Sequence, residues 1–218
     1  MQRHFDRELE QLKTRLLQMG ATVEDLISRS IHALVEGDRQ LAMDAIRVEV
    51  EIDRHEIEIE EECLKLLALY QPVAGDLRFV ASVLKINGDL ERMGDLGRHI
   101  GERALFLADH REVRLPGDLR RMTAAVQRMV HQSLDALVGK DAELALRVIA
   151  SDNEVDDYLK EMFQVLENQM KAHPETIPAL LQVLSASRHL ERIADYATNI
   201  AEDVVYLVRG EIIRHQAD

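Results

Sequence analysis

At 218 residues the chain is long enough for one large domain or two small ones. A formal charge of −13, from 40 acidic against 27 basic residues, argues against a nucleic-acid binder, which carries a basic footprint, and favours cationic partners, metal ions included. With 4% aromatic residues and no Trp, the composition points to helices packed through aliphatic ridges and away from a sheet core.

The N-terminal stretch MQRHFDRELEQL is charged from the start and lacks the apolar region of a signal peptide. No apolar run approaches about 18 residues, so no membrane span is expected and the protein is expected in the cytoplasm. Most of the 4 Pro and 10 Gly fall in a few breaks: EGDR near Gly37, QPVAGD from Gln71, HREVRLPGD from His110, GKD from Gly139 and HPETIP from His173. The segments between them predict six long helices over 4–36, 38–70, 74–109, 117–138, 141–172 and 176–209. Asp38, Asp76 and Asp118 directly follow a Gly, Asp141 follows Gly139 by two, and each precedes a periodic apolar run, as N-caps or first-turn acids do.

On the second helix, Arg47, Glu51, Arg54, Glu58, Glu61 and Lys65 share one side. The other side carries Ala42, Ala45, Ile46, Ile57, Cys63, Leu64 and Leu67, which predicts the core face. Glu49, Asp53, Glu56 and Glu60 fall within that apolar side. The lone Cys63 excludes an intrachain disulfide and reads as a small buried residue and a poor nucleophile among acids.

The third helix contains LERMGDLGRHIGE from Leu90, and the sixth contains LERIADYATNIAE from Leu190. At about 100° per residue, Glu91, Asp95, His99 and Glu102 fall within about 80° of arc, and Glu191, Asp195, Asn199 and Glu202 repeat the arrangement. EVEID (49–53) matches DNEVD (152–156) at an offset of 103, pairing Glu49 and Asp53 with Asp152 and Asp156. The fifth helix should bury Ala145, Ile149, Leu159 and Phe163 beside these acids. A duplicated three-helix unit accounts for the repeat, with a boundary in DHREVRLPGD. Gly94, Gly97 and Gly101, matched by Ala194, Ala197 and Ala201, mark close helix packing.

Carboxylates on or beside a core stripe repel one another and resist desolvation, so they need cations, retained protons, water or a metal. Arg92 and Arg192 are the candidate partners for a salt-bridged acidic face. An oxygen-rich set equally suits hard or borderline cations. A ferritin-like di-iron site is disfavoured, because no His has an acid three positions before it. There is no phosphate loop, no dinucleotide turn and no activated nucleophile, so catalysis is not expected.

GDLRFVASVLKINGDLERMGD (75–95) and HLERIADYATNIAEDVVYLVRG (189–210), with acid-x-x-x-Asp on the second and third helix of each half, resemble the PhoU family of phosphate-transport accessory proteins over essentially the whole chain. The resemblance implies an all-α fold of two tandem, pseudo-symmetric three-helix bundles, residues 1–112 and 113–218. It implies a non-catalytic cytoplasmic negative regulator, usually a homodimer. Such a regulator links the ATPase subunit of a phosphate ABC transporter to a membrane sensor histidine kinase, without nucleic acid and without membrane insertion. It also implies iron, zinc, manganese or magnesium at Glu49, Asp53, Glu91 and Asp95, and at Asp152, Asp156, Glu191 and Asp195. Asn199 and Glu202 extend the second set, while His99 and Glu102 stand in the matching places of the first. Arg78 in GDLR fits the family pattern as a partner-binding residue of the first half, Pro178 standing there in the second. A metal-free helical adaptor and a carboxylate metal enzyme remain as alternatives.

Overall fold

The structure, a computed structural model, describes residues 2–110 and 113–213. Among them are seven α-helices: α1 (Gln2–Glu36), α2 (Arg39–Tyr70), α3 (Ala74–Ala108), α4 (Gly117–Gly139), α5 (Ala142–Ala150), α6 (Asp152–Ala172) and α7 (Ile177–Arg209). A 3₁₀ turn, Pro174–Thr176, leads into α7, and no strand occurs among the described residues.

The helix starts follow the sequence chemistry. The Asp38 carboxylate accepts the Leu41 N–H at 3.0 Å, and Asp141 accepts those of Glu143 and Leu144, each at 3.0 Å. Asp76 and Asp118 sit in the first turns of α3 and α4, where a negative charge meets the positive end of the helix dipole. The predicted fifth helix is interrupted at Ser151. There the Ser151 hydroxyl donates to the Arg147 carbonyl at 2.9 Å and its N–H turns to Val148 at 3.0 Å, a back-bonding pattern that bends a helix.

α1, α2 and α3 pack as one bundle, and α4 with α5, α6 and α7 as the second. In α1 the buried Leu12, Leu16, Met19, Val23 and Leu26 recur every three or four residues, the spacing of one helix face. α3 lies along α7, so the two bundles share a wall. Lys85 Nζ reaches the buried Asp203 across it at 3.3 Å, and the rings of His99 and His189 stack with centroids 5.3 Å apart. A second join runs between α1 and α4, where His131 Nδ1 meets Glu24 at 2.8 Å and Arg120 meets Glu36 at 3.1 Å. The 112/113 boundary adjoins residues 111–112, which lie outside the described residues.

The inner face of α2 differs from the sequence expectation. Ile52, Ile59 and Leu66 are fully buried, with Ala42, Ala45 and Cys63, whereas Ile57 and Leu64 are 55% and 53% exposed. The cause is that α2 carries two apolar rows at seven-residue spacing on opposite sides, and Gly94 of α3 receives the row containing Ile52. A Cβ at Gly94 would stand 3.0 Å from Ile52 Cδ1. Phe163, expected inside, is likewise exposed and lies under the Arg188 guanidinium, 5.7 Å from its ring centre.

Candidate functional site

Close approach of α3 to its neighbours builds the first acidic cluster. A side chain at Gly97 would collide with the buried Leu26 of α1, and one at Gly101 would come within 3.1 Å of Ile46 of α2. With no Cβ in the way, Glu91 and Asp95 of α3 come up beside Glu49 and Asp53 of α2. Burial raises the Glu91 carboxyl above the usual range, and the charges of Asp95, Asp53 and Glu56 add to the effect. Glu49 is raised in the same direction by burial and by Asp53, partly offset by Arg98. Glu56 is raised by burial and by Glu60.

Arg98 supplies this cluster with its own cation. Its Nε lies 3.2 Å from Glu49, its Nη1 2.5 Å from Glu102 and its Nη2 3.4 Å from Asp95. Nη2 also donates to His99 Nε2 at 3.0 Å. One guanidinium, with its side chain only 24% exposed, thus ties α2 to α3 through charge-assisted hydrogen bonds. The partner expected from the sequence, Arg92, instead pairs with Asp89 at 3.7 Å and lies 6.0 Å from the ring centre of Tyr196. Arg98 lies outside the repeated acidic pattern, yet it follows Asp95 by three and precedes Glu102 by four, the spacings that bring helix side chains together.

The second cluster has the same plan without that cation. Thr198 stands where the first half has Arg98, at the offset of 100. Asp152 and Asp156 of α6 face Glu191 and Asp195 of α7, and among the described residues none of these four forms an ion pair. The Asp152 carboxyl is pushed up to about 6 by burial and by the charges of Asp195, Asp156 and Glu202, with the Thr198 hydroxyl working the other way. Glu191 is raised by burial, then by Asp195, Asp156 and Asp152. Asp195 is raised by burial and Asp156, and Arg192 only partly offsets this.

Other positions singled out in the sequence lie at the edges. Asn199 is half-buried on α7. His99 belongs to the wall between the bundles, against His189, whose imidazole burial pushes down to about 4 with help from His99, Arg103 and Arg192. Arg78 is half-buried and lies against the C-terminal end of α7, where a Cβ on Gly210 would come within 2.5 Å of its Nη1. Cys63 is fully buried, and burial together with Glu62 and Glu60 pushes its thiol up to about 12, so it is an inert core residue.

The two clusters differ in their fitness for a metal ion. Among the described residues no group of three or more His, Cys, Asp and Glu is arranged to hold one. The donor chemistry of the second cluster nevertheless suits a hard divalent cation, because its oxygens are crowded, partly desolvated and only partly offset by Arg192, which pairs with none of them. In the first cluster the Arg98 guanidinium already stands among the oxygens that a cation would take.

Comparison with known proteins agrees with the duplication. The PhoU domain matches residues 16–104 and again 119–204. The chain is 40% identical over 212 residues to the phosphate-specific transport system accessory protein PhoU homolog of Pseudomonas aeruginosa, covering 97% of this chain and 88% of that one. It is 33% identical over 211 residues to the PhoU accessory protein of Escherichia coli, with 97% and 88% covered. The crystal structure of PhoU from Pseudomonas aeruginosa superposes with a TM-score of 0.91 at 40% identity, over 95% of this chain and all of that one. A phosphate transport system regulatory protein PhoU from Streptococcus pneumoniae superposes at 0.88 with 34% identity, over 96% and 99%.

Proposed function

The chain is a member of the PhoU domain family, and from that membership we propose that it is a non-catalytic regulator of inorganic phosphate uptake. It acts in the cytoplasm as a homodimeric adaptor between the ATPase subunit of a phosphate ABC transporter and a membrane sensor histidine kinase, keeping the kinase quiet when phosphate is plentiful. The observation that carries this reading is a pair of like acidic clusters set in equivalent places on two bundles that share a wall. One molecule thereby offers two related but unequal faces, which suits a protein that joins two partners. No helix among the described residues is long and apolar enough to cross a membrane.

Asp152, Asp156, Glu191 and Asp195, extended by Glu202 and Asn199, would hold the metal ion. A divalent cation held there would supply positive charge to the crowded carboxylates of α6 and α7. The first cluster works without one, because Arg98 makes the equivalent link between α2 and α3. The metal-free reading therefore applies to the first half.

Metal content by mass spectrometry, on untagged protein beside the Asp95→Ala/Asp195→Ala variant, tests the metal part. Bound metal in the wild type, lost in the variant, is the expected result, and its absence from both would remove metal from the scheme. A phosphate-responsive reporter in cells with and without the gene tests the regulatory part. Deletion should leave the reporter active in high phosphate, and an unchanged reporter would overturn that role.

A further inference from the structure

The outer face of α2 carries an apolar row that the fold leaves uncovered. Val50, Ile57 and Leu64 are 69%, 55% and 53% exposed and recur every seven residues. At about 100° per residue they drift by only about 40° in all and lie opposite the buried row Ile52, Ile59 and Leu66. Exposed large apolar residues in isolation need no explanation, but a row in helix register is the footprint of another helix.

The second half shows that the fold does not require this row. At the offset of 103 the same places hold Asn153, Lys160 and Glu167, all exposed. The neighbouring positions are exchanged in the opposite sense. Glu49, Asp53, Glu56 and Glu60 run alongside the apolar row of α2, whereas α6 has Asp152, Asp156, Leu159 and Phe163. Only the first half therefore combines an exposed apolar ridge with a four-carboxylate flank, and of these four only Glu49 has a cation from its own chain among the described residues. On the far side of the ridge Arg47, Arg54 and Lys65 already pair with Asp44, with Glu58, and with Glu8 and Glu62.

We propose that the outer face of α2 docks an amphipathic helix of a partner protein, one with apolar residues at heptad spacing and Lys or Arg along one flank. Charge complementarity selects this occupant over a second copy of the chain. A second copy brings a net charge of −13 and the same four carboxylates, and antiparallel pairing along the row would set acid flank against acid flank. A helix with cations over the carboxylates supplies the opposite charge that a second copy lacks. The inference rests on the adaptor reading and assigns one of its two docking faces to the first half alone.

The variant Val50→Asn/Ile57→Lys/Leu64→Glu gives α2 the residues of α6 and leaves the net charge unchanged, so nonspecific attraction of cations is preserved. The probe is a labelled, amidated 21-residue designed peptide with Leu at heptad positions and Lys on one flank, with a Glu-flanked counterpart as control. Fluorescence anisotropy on the full chain at physiological salt should show the Lys peptide binding the wild type. Affinity should fall at least tenfold with the variant, and the Glu peptide should not bind. Equal affinity for wild type and variant would overturn the proposal. So would a wild type that sediments as a dimer through this face beside a monomeric variant. Circular dichroism verifies that the variant folds, and Ile57→Ser alone serves if it does not. The phosphate reporter separates the two readings: no response to gene deletion defeats the adaptor role, whereas a normal deletion response with unchanged peptide affinity defeats the surface alone.

Discussion

The two acidic clusters are built from the same positions and answer the same electrostatic problem differently. The first brings in a guanidinium from its own helix, Arg98, which meets Glu49, Asp95 and Glu102. The second has Thr198 there and leaves Asp152 holding its proton up to about pH 6. After duplication, one half carries an ion-paired cation within its cluster, whereas the other has only the partial offset of Arg192. Pseudo-symmetry of backbone is thus compatible with opposite chemical demands at equivalent sites, and one residue position decides between them.

The largest effect should come from making the first cluster like the second. Arg98→Thr removes the cation from three carboxylates and should cost about 1–3 kcal/mol by denaturant unfolding, the range for a partly buried pair that loses one member. Added Mg or Mn should restore part of the loss, and an unchanged midpoint would show that Arg98 does not hold the cluster together. Next is Gly97→Ala, which copies Ala197. It should cost about 1–2 kcal/mol because the new methyl presses on Leu26 in a filled core, whereas Ala197 is already accommodated in its own bundle.

Smaller effects sharpen the contrast from the other side. Folded Asp152 keeps its proton up to about pH 6, while an ordinary aspartate gives it up near 3.8. The folded state is therefore favoured most below pH 4, and that advantage is lost as the pH climbs through 6. Asp152→Asn should remove this dependence and stabilise the metal-free protein by about 1 kcal/mol at pH 7.5, after allowance for solvent screening. Thermal melts from pH 4 to 8 decide it, and a slope unchanged by the substitution would refute the assignment. Smallest of all, Thr198→Arg should raise metal-free stability by less than about 1 kcal/mol and blunt any stabilisation by added divalent cations.

Much of this organisation can be read from the chain. Gly and Pro clusters with Asp caps delimit the helices, since a carboxylate beside free N–H groups is a local signal that tertiary packing does not override. The break at Ser151 was invisible, because a back-bonding serine looks the same in the sequence as one pointing at solvent. The inner face of α2 is ambiguous in the sequence for a different reason. A helix with apolar rows on opposite sides has a periodicity that does not say which row faces inward, and the choice is made by Gly94 on another helix. At the clusters, the repeated residues mark only what the halves share. Arg98 and Thr198 differ, so the position that separates the halves lies outside the repeated pattern.

The wall formed by α3 and α7 has a mechanical consequence. These helices of 35 and 33 residues are roughly 50 Å long, and each gives one side to its own bundle and another to its neighbour. A joint of that length has no pivot, so force applied to one bundle travels into the other as flexure of two parallel beams. Melting either bundle strips a supporting wall from the other, and calorimetry should record one transition for the whole molecule. A protease cut in the 109–116 connector should leave two pieces that stay clasped, each still covering the side of the other that the wall buries.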